Sequence, residues 1–182
     1  MTARLDVLVE GYADDRVGST VVLIRDAAAV IVVDPGMVAH RSAILDPLRA
    51  AGLAPQDVTD VVFSHHHPDH TLNGALFSEA RFHDHWAIYQ DDVWIDRPAD
   101  GYELSPSVTL RATPGHTPED ITTLIRTADG LVACTHLWWS ADGPELDPLA
   151  TDQEQLEQSR AGLLALKPSL VVPAHGSPFV PG

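Results

Sequence analysis

Basic residues are scarce in this sequence. Eleven Lys and Arg stand against 26 Asp and Glu in 182 residues, a formal charge of -15 at pH 7. Such a chain repels phosphate backbones and anionic bilayer surfaces at long range, so long nucleic acid is an unfavourable partner and a small-molecule substrate is the expected one. Cysteine is nearly missing: Cys134 stands alone, which excludes an internal disulfide and agrees with a reducing compartment. No apolar run reaches the roughly 20 residues that a bilayer-spanning helix needs, so no membrane partner is expected. The opening MTARLDVLVEGYADD carries none of the basic, apolar and small-residue regions of a signal peptide, and the expected location is cytoplasmic. Linkers rich in Gly and Ser, low-complexity tracts and internal repeats are also lacking. Nothing therefore divides the chain, and residues 1–182, with 45% hydrophobic composition, read as one domain able to bury a full core.

Short β-branched runs are present instead. LDVLVE (5–10), STVVLIRD (19–26) and AVIVVD (29–34) are bounded by Gly, Asp and Pro and read as strands. HRSAILDPLRAAG (40–52) is a helix stopped at Gly52, and VTDVVFS (58–64) is a buried strand. ITTLIRT and LVACTH read as hairpin arms around Asp129-Gly130, a pair that supplies the positive φ of tight turns. Residues 151–167 read as a helix opened by a capping box of Thr151 and Glu154, with Leu156, Leu163 and Leu164 on one face. HDHWAIYQDDVW (83–94) reads as a loop or short helix beside a cleft, and PSLVVPAHG (168–176) as a last strand and loop.

The densest chemistry lies in FSHHHPDHTLNG (63–74), where four histidines and an aspartate fall within six positions. Three more histidines follow apolar runs: His116 in TPGHTPED, His136 in VACTHLWW and His175 in VVPAHG. Neutral imidazole is a common ligand of zinc and also suits iron, and a loop leaving a rigid strand holds a ligand with little freedom. His65 and His67, two apart in an extended segment, can clamp one ion, while Asp69 and His70, past the turn at Pro68, can face a neighbouring one. His40, His66 and His85 read as ordinary surface or core histidines.

SHHHPDH resembles the signature loop of the metallo-β-lactamase superfamily, TPGHT its next metal-binding loop, VVPAHG its last, and IVVDPG its early aspartate segment. LVEGYAD and GLAPQDVTDVVFSHHHPDHTLNGALF are further similar to the branch of metallo-β-lactamase domain-containing protein 1. The resemblance implies an α/β fold, the four-layer αβ/βα sandwich of two mixed sheets with helices on the outer faces and metals at one edge. It also implies a first metal site of His65, His67 and His116, a second of Asp69, His70 and His175, and Asp34 supporting the ligands from behind. One position departs: the family commonly carries a bridging aspartate where this chain has His136. A neutral ring cannot bridge two ions, so His136 would serve one ion or none, which leaves one or two zinc ions, or iron or manganese, as the cofactor.

The chemistry implied is hydrolysis. Metal-bound water has a pKa near 7 instead of about 15.7, and zinc in water alone reaches about 9, so the ion supplies most of the nucleophile. Asp69 is the candidate catalytic residue, orienting the water and shuttling a proton in cleavage of a thioester, lactone, amide or small phosphoester. The alternatives are an iron oxidoreductase similar to the persulfide dioxygenases and a catalytically silent metal-binding module, against which Asp69 argues. His83, Trp138 and Trp139 are candidates for a substrate wall, while Cys134, on the face of its strand that His136 shares, reads as a small buried residue.

Overall fold

A computed structural model of the chain describes residues 2–182. The first strands are β1 (Arg4–Val9), β2 (Tyr12–Ala13), β3 (Val17–Gly18), β4 (Val21–Asp26) and β5 (Ala29–Val33). After α1 (Ser42–Ala50) come β6 (Asp60–Val62), the short α2 (Pro68–Thr71), β7 (Arg81–His83), β8 (Ala87–Gln90) and β9 (Val93–Asp96). The second half holds β10 (Glu103–Ser105), β11 (Val108–Ala112), β12 (Ile121–Thr127), β13 (Gly130–Thr135), α3 (Gln153–Leu164) and β14 (Leu170–Pro173).

Seven strands form one sheet in the order β1-β4-β5-β6-β7-β8-β9, and five form another in the order β10-β11-β12-β13-β14. Both are mixed, since β5, β6 and β7 run parallel, as do β13 and β14, while the other neighbours are antiparallel. Strand alternation creates the layers. Along β4, Val22 and Ile24 face the second sheet, where they meet Leu110, Ile121, Ile125 and Val172. Val21 and Leu23 face the other way and pack with Ile44 and Leu48 of α1. On the far side Ala133 packs with Leu137 and with Leu156 and Leu163 of α3. The order helix, sheet, sheet, helix is the four-layer αβ/βα sandwich.

Three local expectations shift. Residues 83–94 are strands and tight turns, because Tyr89 stacks between Phe82 and Trp94 at centroid distances of 5.6 and 5.3 Å, a cross-strand ladder that only a sheet supplies. The turn joining β12 to β13 is one residue earlier than Asp129-Gly130, since Thr127 pairs with Gly130. The cap of α3 is Asp152, whose carboxylate accepts from Gln155 N at 2.9 Å, and Leu164 is exposed. Thr151 is diverted to the loop of His116, donating its amide to the His116 carbonyl at 2.9 Å.

At the end of the sandwich opposite the histidines, Asp26 closes the two sheets. Its Oδ2 accepts from Ser105 Oγ and Ser107 N, both at 2.6 Å. Burial alone would raise this carboxyl, but those donors outweigh it and hold it below the usual aspartate value. We predict that Asp26→Ala costs about 1–3 kcal/mol in urea unfolding. Because the folded pKa is depressed, this contribution is complete above the unfolded value near 4 and is lost as pH falls through the folded one. The gap between the two proteins should close towards pH 3, and a gap that stays constant with pH would contradict the carboxylate latch.

Candidate metal centre

Loops that leave the C-terminal ends of five strands meet at one edge of the sandwich. β5 delivers Asp34, β6 delivers His65 to His70, β11 leads to His116, β13 to His136 and β14 to His175. His65, His70, His116, His136 and His175 are all buried. Their ligand atoms form two groups, His65 with His116 and His136, and His70 with His136 and His175, each within 4.8 Å. Asp69 stands beside the second group, its Oδ2 3.3 Å from His70 Nε2 and 3.6 Å from His175 Nε2.

The outer nitrogen of four rings is held by an acceptor. His70 Nδ1 donates to Asp34 Oδ2 at 2.9 Å, His116 Nδ1 to Asp147 Oδ2 at 2.8 Å, and His175 Nδ1 to the Gly18 carbonyl at 3.1 Å. His65 Nδ1 faces Ser64 Oγ at 3.1 Å and Asp120 Oδ1 at 3.6 Å. With these protons fixed outward, the Nε2 of His65, His116 and His175 carries a lone pair that points inward, and that of His70 does so once its second proton is lost. His67 enters from the rim with the opposite atom, its Nδ1 lying 3.0 Å from His65 Nε2 and 3.2 Å from His116 Nε2.

These residues fit a metal. One proton on His67 Nδ1 can satisfy only one of its two neighbours, so a lone pair is left facing another lone pair, which a cation resolves. Tetrahedral ligands at a zinc–nitrogen distance of about 2.0–2.1 Å stand roughly 3.3 Å apart, close to the spacings here. His136 Nε2 likewise faces His175 Nε2 at 3.3 Å, and its ring stacks on His116 at 3.9 Å. His136 Nδ1 and His70 Nε2 are buried without a hydrogen bond, although Asp69 Oδ2 is near the latter.

The electrostatics separate the rings. Burial, reinforced by neighbouring imidazoles, pushes His65 and His136 well below the ordinary histidine value, keeping both neutral. Burial opposes charge on His70 too, but Asp34 and Asp69 outweigh it and raise that ring to about 9. Burial raises the Asp120 carboxyl to about 7 despite its bonds from Thr117.

Backbone packing sets the two aspartates. A Cβ at Gly36 would fall 1.6 Å from the Asp69 carbonyl oxygen, so only glycine lets the DPG loop lie against the ligand loop. Asp34 itself has φ of 50° and uses its second oxygen to accept Ser64 N at 2.7 Å. Gly115, at φ of 152°, lies where a Cβ would strike Leu156 Cα at 2.4 Å, which seats the His116 loop on α3.

Asp34, His65, His67, Asp69, His70, His116, His136 and His175 are thus brought together. His83 is not: its Nε2 bonds buried Asp60 at 2.8 Å, within the seven-stranded sheet. Trp138 turns away from the histidines towards Phe179 and Arg160, leaving Trp139 as the tryptophan at the cleft. Cys134 is buried in the core between the sheets, and burial raises its thiol. Asp120 and Asp147 escaped the sequence reading. The first was legible in TPGHTPED, four residues after His116, but Asp147 lies in the long connection before α3, where no spacing marks it.

A family profile described as the metallo-beta-lactamase superfamily matches residues 14–136. The chain belongs to the metallo-beta-lactamase superfamily. Within it the chain is 35% identical over 187 residues to the Xenopus laevis metallo-beta-lactamase domain-containing protein 1, covering 95% of this chain and 79% of that one. A Thermotoga maritima protein described provisionally as a metallo-beta-lactamase superposes with a TM-score of 0.75 at 22% identity, covering both chains completely. An N-acyl homoserine lactone hydrolase, solved with its product at the catalytic metal centre, gives 0.72 at 18% identity over 96% of this chain and 92% of that one. The structural likenesses establish the superfamily's fold in this chain.

As in any metal site built on histidine, the acceptors behind the rings should matter almost as much as the rings. We predict that Asp147→Ala, which frees His116 Nδ1, weakens metal binding about 10- to 100-fold in a competition titration against a chromogenic chelator. Unchanged affinity in a folded Asp147→Ala protein would contradict the role of this contact.

Proposed function

We propose that this chain is a metal-dependent hydrolase that cleaves an ester-like bond, a thioester, lactone, amide or small phosphoester. The observation that carries the reading is the convergence of inward lone pairs beside an ionised carboxylate at the floor of an open pocket. His65, His67 and His116 would hold one ion and Asp69, His70 and His175 the other, with His136 serving one of the two. Three imidazoles at the first position, and two with a carboxylate at the second, suit zinc or iron, and the carboxylate admits manganese. An ion bound there supplies an acidified water and a positive charge for the oxygen of the bond under attack.

The protein's own groups do the rest. Burial would raise Asp69, but the close ion-pair contact with His70 brings it down to about 2, so it is a carboxylate at neutral pH. An acid that weakly basic acts best as an acceptor that orients a water, passing a proton on only in transit. The pocket above it encloses about 410 Å³, enough for a small molecule. Trp139, whose Nε1 donates to Asp147 at 3.1 Å, is fixed as an apolar wall by the same carboxylate that holds His116. Among the described residues no helix is long and apolar enough to cross a membrane.

Purified protein should carry one to two equivalents of zinc, iron or manganese and hydrolyse at least one member of a thioester, lactone, amide and phosphoester panel. His116→Ala should strip metal and lower kcat/KM by at least about a hundredfold. Metal content below about a tenth of an equivalent after reconstitution would overturn the metal assignment, and a fully loaded protein inert on the whole panel would overturn the hydrolase reading.

A further inference from the structure

Beside the histidines the pocket is lined by apolar Ala13, Val17, Trp139 and Leu149, with Asp14 and one cation, Arg16. No other Lys or Arg among the described residues lines it. In a chain of 11 basic residues and net charge -15, a cation at that position is a specific chemical feature. Arg16 sits on the two-stranded hairpin of β2 and β3, where Ala13 pairs with Val17. Its guanidinium lies 5.5 Å from the centre of the Tyr12 ring, a cation–π contact that orients the side chain without using its hydrogen-bond donors.

Neither nearby carboxylate claims that guanidinium. Asp14, also on the wall, turns its Oδ1 to the Arg16 backbone amide at 3.0 Å. Asp15 comes no closer than 4.0 Å to Arg16 Nε, and both side chains are exposed, a pairing that water screens. The terminal nitrogens thus remain open for a fork-shaped contact with a carboxylate or phosphate. The hairpin is rooted in the metal centre: the Gly18 carbonyl holds His175 Nδ1, and Ser19 N donates to the Asp69 carbonyl at 3.3 Å. Arg16 therefore stands two residues from a fixed point of the site.

We propose that Arg16 binds an anionic group, a carboxylate or a phosphate, on the substrate, so that the preferred substrates are ester-like compounds with an apolar middle and a negatively charged end. The proposal rests on the hydrolase reading and narrows its substrate class. The apolar wall receives the middle, the metal centre the scissile bond, and the guanidinium the far charge.

The test compares thioesters and lactones of one chain length that end in a carboxylate, a phosphate or a methyl ester. The zinc-loaded protein should favour an anionic form over the methyl ester by about tenfold in kcat/KM, expressed mainly in KM. That ratio should fall to near one in Arg16→Ala, recover in part in Arg16→Lys and invert in Arg16→Glu, while Arg49→Ala, a remote loss of the same charge, should leave it unaltered. The carboxylate and phosphate arms show which anion is preferred. Calorimetric binding of adipate against hexanoate gives a readout free of turnover: both present one carboxylate to the metals, and only adipate has a second for Arg16. Adipate should bind about tenfold tighter in the unaltered protein and equally in Arg16→Ala. Equal binding of the two acids in the unaltered protein, or a preference that survives Arg16→Ala, overturns the proposal. Intact adipate preference in a protein inert on every substrate overturns the hydrolase reading instead and leaves the anion contact standing.

Discussion

Everything at the histidine edge depends on one constraint, that the outer nitrogen is occupied in four of the five buried rings. Asp34, Asp147, the Gly18 carbonyl and the Ser64–Asp120 pair fix the tautomers of His70, His116, His175 and His65. A ring whose outer nitrogen were open could flip or share its inward proton with a neighbour, and the lone pairs would no longer converge. Because every fixing group except Ser64 comes from a segment far from its ring in sequence, the tautomers are a property of the assembled sandwich. A histidine-rich peptide of the same local sequence would lack them.

The same contacts reconcile the crowding of rings with the acidity of the chain. Net charge governs long-range encounter, but inside the cleft the local balance decides, and there burial keeps His65 and His136 neutral. Carboxylates supply the compensation only where a ring or an ion needs it. His136 is the exception that shapes the centre, for it belongs to both ligand groups yet brings no charge and no second acceptor. Where a bridging carboxylate would tie two ions together, this chain offers one neutral donor stacked on His116.

The sandwich, and the clustering of most residues of the candidate centre, were legible in the sequence for a physical reason. Strand-end loops carry their ligands in short fixed spacings, and H-x-H-x-D-H is local enough to survive as a pattern. The strands of residues 19–34 and 121–136 also declared themselves by β-branched runs between turn residues. What was not legible depends on long-range partners. Residues 83–94 became strands because Phe82, Tyr89 and Trp94 stack across neighbours, and His83 left the cleft because Asp60, 23 residues earlier, held it. Thr151 lost the cap of α3 to Asp152 for a similar reason, being bound to the His116 loop. Asp147 shows the limit most plainly, since a supporting carboxylate 31 residues from its ring has no spacing to betray it.

The placement of Asp26 gives the molecule a mechanical polarity. At one end its carboxylate joins β4 to the turn between β10 and β11, and at the other the ligand loops of the two sheets meet, His65 to His70 from one and His116, His136 and His175 from the other. An ion held among them would have ligands from both sheets. Binding energy at that edge would then add to the cohesion of the whole fold, growing with the logarithm of free metal concentration. The core between the sheets and the Asp26 latch hold the sandwich by themselves, and an ion at the histidine edge would add a second clasp whose strength is set from solution.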